Sequence, residues 1–194
     1  MLHDRERAAI DALWTVKISQ DARDLPQAQR CRNLEPDSAE FIAALAAGVR
    51  ATRLLEIGGS SGISTIALAS AARQTGGRLV SLEIEAARQA ESKRTLADLG
   101  LDGHVDYVLA DAGTVLDRYD NLEFVLIDCE KEDYARFFDL LKLAPGAVVV
   151  ADNILSHDLW DYVRHVRALP GIESITFPVG KGLEVSRMPS APAR

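Results

Sequence analysis

The chain has 194 residues, 47% of them hydrophobic, two cysteines and a formal net charge of −7. That length and apolar content can bury one substantial core, and nothing divides the sequence, so a single domain over 1–194 is expected. The acidic balance argues against nucleic acid and anionic membranes as partners, since binding to them rests on neutralising phosphates; two cysteines are too few for a disulfide framework or a cysteine metal site.

The chain begins with "MLHDRERAAIDALW", charged and amphipathic where a signal peptide would be apolar, and no later run is long enough to span a bilayer, so a cytoplasmic protein is expected. Two helical stretches, about 4–19 and 37–49, are joined by a polar segment containing Pro26 and Pro36 and form a helical cover over 1–50. From residue 51 to 188, strands and helices alternate as in a parallel sheet built from crossovers. Strands are predicted at "RLLEIG", "GRLVSLEI", "HVDYVLA", "FVLIDC" and "AVVVAD", the last apolar enough to be buried on both faces. Helices are predicted at "ISTIALASAARQ", "AARQAESKRTLADLG", "DYARFFDLLKLAPG" and "SHDLWDYVRHVRAL", with a short helix at "GTVLDRY". "ESITFPV" and "GLEVSRM" close the chain as a hairpin, and the tail "PSAPAR" is expected to fray.

The turn between the first strand and its helix, "EIGGSSGIS", holds Gly58, Gly59 and Gly62. Counted from Gly58, the second and third positions of the dinucleotide fingerprint are Ser60 and Ile63, which disfavours a pyrophosphate and with it a nicotinamide-dependent reductase. Ligands of open α/β sheets lie beyond the carboxyl ends of the strands, and here those ends are acidic: Glu56, Glu83, Asp111, Asp128 and Asp152. Glu83 stands one crossover beyond the glycine turn, where a carboxylate accepts ribose hydroxyls. A cationic sulfonium tolerates the acidic rim better than a pyrophosphate does. Asp128, Asp152 and Asn153 end strands that should be neighbours, offering a divalent cation such as Mg²⁺ three hard oxygen ligands, with Lys131 facing the same space. The alternative is that these residues merely cap the helices that follow.

"LLEIGGSSGISTIALA", "SLEIE", "ADA", "FVLIDCEKEDY", "LAPGAVVVADNIL" and "GKGLEVSR" resemble, in order and spacing, successive motifs of the class I S-adenosylmethionine-dependent O-methyltransferases, in particular the cation-dependent catechol and caffeoyl-coenzyme A group. The resemblance runs from about residue 30 to 188. It implies a Rossmann-like methyltransferase fold, a mostly parallel seven-stranded sheet with helices on both faces and an antiparallel terminal hairpin. It further implies a small catechol-like or phenolic acceptor and a homodimer. Glu56, Gly58, Gly62, Ser64, Glu83, Asp111, Ala112 and Asp128 would fall on S-adenosyl-L-methionine, joined by Asn33 and Leu34 from "RNLEPDSAEF". Asp128, Asp152 and Asn153 would hold Mg²⁺ or another divalent cation, Lys131 and Asp128 would be catalytic with Lys131 as the base, and Glu184 would orient the substrate with Lys131.

Two departures bear on the acceptor. Lys181 stands where the family often has an acidic residue, and the segments "ILSHDLWDYV" and "TFPVGKGLE" are short, leaving little chain to wall a pocket. Of four histidines, only His157 is near enough in sequence to reach the site, and Cys129 reads as a small packed residue. The rival readings are a metal-independent methyltransferase and a protein that binds the cofactor without turnover.

Overall fold

The computed structural model describes residues 2–24, 26 and 30–190. Helices α1 (Asp4–Ala22) and α2 (Pro36–Gly48) precede strand β1 (Arg53–Ile57), after which α3 (Ile63–Thr75), β2 (Arg78–Glu83), α4 (Ala86–Leu99), β3 (Val105–Leu109) and β4 (Leu122–Ile127) follow. The chain then forms α5 (Tyr134–Leu140), β5 (Leu143–Ala151), α6 (Trp160–Ala168), β6 (Glu173–Phe177) and β7 (Leu183–Arg187). The sheet order is β3-β2-β1-β4-β5-β7-β6. Strand β7 runs antiparallel to both neighbours, and every other pairing is parallel. This is the expected Rossmann-like methyltransferase sheet.

Period-two alternation sorts the strand side chains into two cores. Leu54, Leu126 and Val150 face α1, α2 and α3, while Leu55, Ile127 and Ala151 face α5 and α6. Strands β1, β4 and β5 are buried on both sides, which accounts for their near-continuous apolar runs.

Three predicted elements differ in extent, each because tertiary contacts outbid local propensity. The helix expected over 133–146 stops at Leu140, because Lys142 and Leu143 are drawn into pairing with Leu122 at the start of β4. "GTVLDRY" becomes two single-turn 3₁₀ segments, Ala112–Thr114 and Leu116–Arg118. The last helix begins at Trp160 instead of Ser156, since the Ile154 and Leu155 amides donate to the Gly182 and Lys181 carbonyls at 3.0 and 2.8 Å. Those two bonds tie the segment after β5 to the hairpin turn. Residues 191–194 of the tail expected to fray, and 25 and 27–29 of the polar segment, lie outside the described residues.

Candidate active site

The sheet order reverses between β1 and β4, and the crevice at that switch point holds the site. Gly58 leaves β1 at φ +95°, and a Cβ there would stand 2.0 Å from the Asp128 carbonyl oxygen, so bare backbone from two strand ends meets at the crevice floor. Ser60 follows at φ +46°, a left-handed conformation unusual for serine, and Glu83 holds it there. Glu83 accepts the Ser60 amide on one oxygen at 2.7 Å, and those of Ile84 and Glu85 on the other at 2.8 and 2.9 Å. Three bonds leave the carboxylate with spare lone-pair capacity.

Two cavities open from this crevice. The first is lined by Gly58, Glu83, Asp111, Ala112 and Asp128 among the expected residues, and by Ile57, Leu82, Ile84 and Phe137 as apolar walls. Ile84 is an exposed aliphatic side chain immediately after Glu83; sequence reading passed over it, although a large apolar residue directly after an acid at a strand end was a legible signal. The second cavity is lined by Asn33, Asp128, Lys131, Asn153, His157 and Lys181, together with residues of α1 and of the 30–32 segment. Asp128 and Arg32 line both.

Several expected residues lie elsewhere. Glu56 lines neither cavity: it is fully buried beneath the glycine turn, accepting hydrogen bonds from Thr65 and Ser81. Burial pushes its carboxyl above the usual glutamate range, against the opposing pull of those bonds. Gly62 caps α3 with its Cα edge against Ser92, while Ser64 and Leu34 are buried off the cavities. Asn33 falls on the second cavity instead of the first, donating to Ser61 Oγ at 2.8 Å. Glu184 is the clearest correction. Opposite Ala151 in the register, its carboxylate is bound by Arg167 of α6 and by Ser174 and Thr176 of β6, so it lines neither cavity and is not placed to orient a substrate there.

Asp128, Asp152, Asn153 and Lys131 do converge. Strands β4 and β5 pair Ile127 with Ala151, which brings the two aspartates side by side. Asn153 takes a left-handed φ of +65° and donates its amide nitrogen to Asp128 at 2.9 Å and to Asp152 at 3.0 Å. Lys131 Nζ lies 3.3 Å from Asp128 and 2.8 Å from the Tyr134 hydroxyl. Tyr134, missed in the sequence because its spacing marks a core residue of α5, is fully buried and meets Tyr162 edge to face.

The fit to a divalent cation turns on Asp152. Its second oxygen is buried without a partner, and its carboxyl is driven well above the usual range, first by burial and then by the neighbouring Asp128 charge. An adjacent cation would relieve both, and the Asn153 amide turned end for end would offer oxygen. The donor set therefore fits. Among the described residues no group of three or more His, Cys, Asp or Glu side chains is arranged for a metal, so a site here depends on the asparagine. Burial, then Lys131, Lys181 and Arg32, push the His157 imidazole below its ordinary value, and burial, then the Asp128 charge, pushes the Cys129 thiol up.

Comparison with known proteins agrees with this architecture. A catechol O-methyltransferase of Mycobacterium tuberculosis is 32% identical over 151 residues, 74% of this chain and 65% of that protein. One from Niastella koreensis is 29% identical over 130 residues, 63% of this chain and 58% of that protein. The chain thus spans less than two thirds of the length of these curated relatives. A solved O-methyltransferase from Bacillus cereus, in complex with S-adenosylhomocysteine, superposes with a TM-score of 0.78 over 93% of this chain and 90% of its own, at 21% identity, which establishes the shared fold. Residues 12–193 match the family described as "Protein of unknown function (DUF1442)". The chain belongs to that family, and it is built on the class I methyltransferase fold of its O-methyltransferase relatives.

Proposed function

We propose that this protein is an S-adenosylmethionine-dependent O-methyltransferase acting on a hydroxyl of a small acceptor with the help of a divalent cation. The observation that carries the reading is the shared wall: Asp128 lines both cavities, so a donor in the first and an acceptor in the second would meet at one carboxylate. The catechol O-methyltransferase relatives and the S-adenosylhomocysteine-bound neighbour support it.

The bound donor supplies an electrophilic sulfonium methyl. When it is bound, Glu83 would accept its ribose hydroxyls, Leu82, Ile84 and Phe137 would supply apolar walls for its adenine, and Gly58, Asp111 and Ala112 would border it at the crevice floor. In the second cavity the acceptor hydroxyl lies beside Lys131, whose Nζ takes up the proton while Tyr134 and Asp128 hold the amine in place. Asp128, Asp152 and Asn153 would hold the cation, which lowers the pKa of a bound hydroxyl. Fixing both reactants can supply on the order of 7 to 11 kcal/mol of barrier lowering. The same reading has the enzyme working in the cytoplasm as a homodimer, with neither nucleic acid nor membrane as partner; no helix among the described residues is long and apolar enough to cross a membrane.

Calorimetry and a methyl-transfer assay test this. S-adenosylhomocysteine should bind far more tightly than NAD, and transfer from S-adenosylmethionine to a catechol should require Mg²⁺ or Mn²⁺ and stop in EDTA. Undiminished turnover after exhaustive metal removal would refute the cation's role and favour the metal-independent reading.

A further inference from the structure

The second cavity encloses about 220 Å³, and its wall is charged. Among the described residues four cationic side chains besides the proposed base Lys131 line it, Lys17, Arg30, Arg32 and Lys181, against the carboxylates of Asp21 and Asp128. The wall itself thus carries two more positive than negative groups before Lys131 is counted, in a chain whose net charge is −7. These four come from three separate stretches: α1, the 30–32 segment and the hairpin turn.

Several of their counter-charges stand outside the wall. Arg32 pairs with Glu130, Lys181 with Glu35 at 2.9 Å and Arg30 with Asp24 at 2.8 Å, and none of these three carboxylates lines the cavity. Lys17 is a lysine with a side chain only 10% exposed, held by Asp21 at 2.6 Å. Its burial is compensated within the chain by that pairing and by the Trp14 ring 4.9 Å away, so Lys17 adds charge to the wall without being left unpartnered. Small-molecule pockets are ordinarily lined by apolar side chains with a few polar groups. Here Cys31 is the sole apolar lining residue among those described, so an uncharged ring would displace water from ionic groups and find little beyond lysine and arginine stems to pack against.

We propose that the acceptor carries, besides its hydroxyl, an anionic substituent, a carboxylate or a phosphate, which these cations bind. The inference rests on the O-methyltransferase reading of the same site and narrows it to a compact hydroxylated anion. Charge-assisted hydrogen bonds in a partly desolvated cavity bind such a group strongly, and the same cations repel a positively charged analogue.

Four acceptors with one catechol ring separate the possibilities: catechol itself, 3,4-dihydroxybenzoate, 3,4-dihydroxybenzylphosphonate and dopamine. Each is titrated by calorimetry into the full chain loaded with S-adenosylhomocysteine and Mg²⁺, and methyl transfer is measured in parallel with S-adenosylmethionine. At least one of the two anions should bind about tenfold or more tightly than catechol, dopamine should bind more weakly than catechol, and the order of the two anions tells carboxylate from phosphate. The advantage should shrink as KCl rises from about 50 to about 500 mM. Lys181→Gln, which keeps a donor for Glu35, should reduce it about three- to tenfold. Catechol or dopamine binding as tightly as both anions overturns the proposal, as does failure of both anions to bind, and salt dependence of the unaltered protein decides the matter even if a variant misfolds. Tight anion binding without methyl transfer would uphold the anion site and refute the methyltransferase reading. Transfer to catechol without an anion preference would do the reverse.

Discussion

The two cavities that meet at Asp128 are made of different material. The first sets apolar walls, Ile57, Leu82, Ile84 and Phe137, beside backbone and acids fixed at consecutive strand ends, Gly58, Glu83, Asp111 and Asp128. The second is walled by long charged side chains from stretches far apart in the chain. The sheet therefore dictates the first: moving Gly58 or Glu83 would mean moving a strand. It leaves the second open, because Lys17 or Lys181 can be exchanged without disturbing β-pairing. On the proposed reading, the sheet fixes how the donor is held and leaves acceptor choice to replaceable side chains.

That contrast can be broken most sharply at Lys131. Lys131→Met keeps the aliphatic stem and removes the amine, so turnover should fall by roughly 10² to 10⁴ while S-adenosylhomocysteine binding stays close to that of the unaltered protein. A loss of cofactor affinity as large as the loss of turnover would show that the two cavities are not functionally separate. The converse substitution, Glu83→Ala, should weaken S-adenosylhomocysteine by about 1.5 to 3 kcal/mol in a titration, because a charge-assisted acceptor is lost. Turnover at saturating donor should change much less. Thermal stability should also drop, since the Ser60, Ile84 and Glu85 amides lose their acceptor.

The smallest functional effect is expected beneath both cavities, at Glu56. Its carboxyl titrates higher in the folded chain than in the unfolded one, so the native state binds the extra proton. Stability from this group is fully present below the ordinary glutamate value near pH 4.5 and is lost as pH rises through the elevated native value. The slope contributed by one such group cannot exceed about 1.4 kcal/mol per pH unit. Glu56→Gln mimics the protonated form and should flatten that slope in urea titrations repeated across pH, with turnover nearly unchanged. An unchanged slope would mean that Glu56 stays ionised under the turn.

Legibility followed the same division as the cavities. The strand ends Gly58, Glu83, Asp111 and Asp128 could be located because β-rich runs and turn residues mark where each strand stops, and position in an α/β sheet then assigns them to one edge. The convergence of Asp128 with Asp152 followed from the expected adjacency of their strands. Glu56 and Glu184 could not be located in this way. Each sits in a strand whose local sequence does not say which face its side chain takes, and register sent one under the glycine turn and the other to Arg167. The cationic wall was illegible for another reason: Lys17, Arg32 and Lys181 are brought together only by the packing of α1 and of the hairpin turn. Lys181 was visible as a departure from the family pattern, but the pairing with Glu35 that anchors it was not.

The segment preceding α2 is stitched to the glycine turn by two serines: the Arg32 amide donates to Ser60 Oγ at 3.0 Å and the Asn33 side chain to Ser61 Oγ at 2.8 Å. Ser60 is itself gripped by Glu83. The path from the Glu83 carboxylate to the wall of the second cavity thus runs through three hydrogen bonds and a few residues of backbone. The glycine turn and the Arg32–Asn33 segment are fastened to one another, and each borders a cavity. Whatever affinity filling the first adds to the second must, by reciprocity, be returned in the other direction.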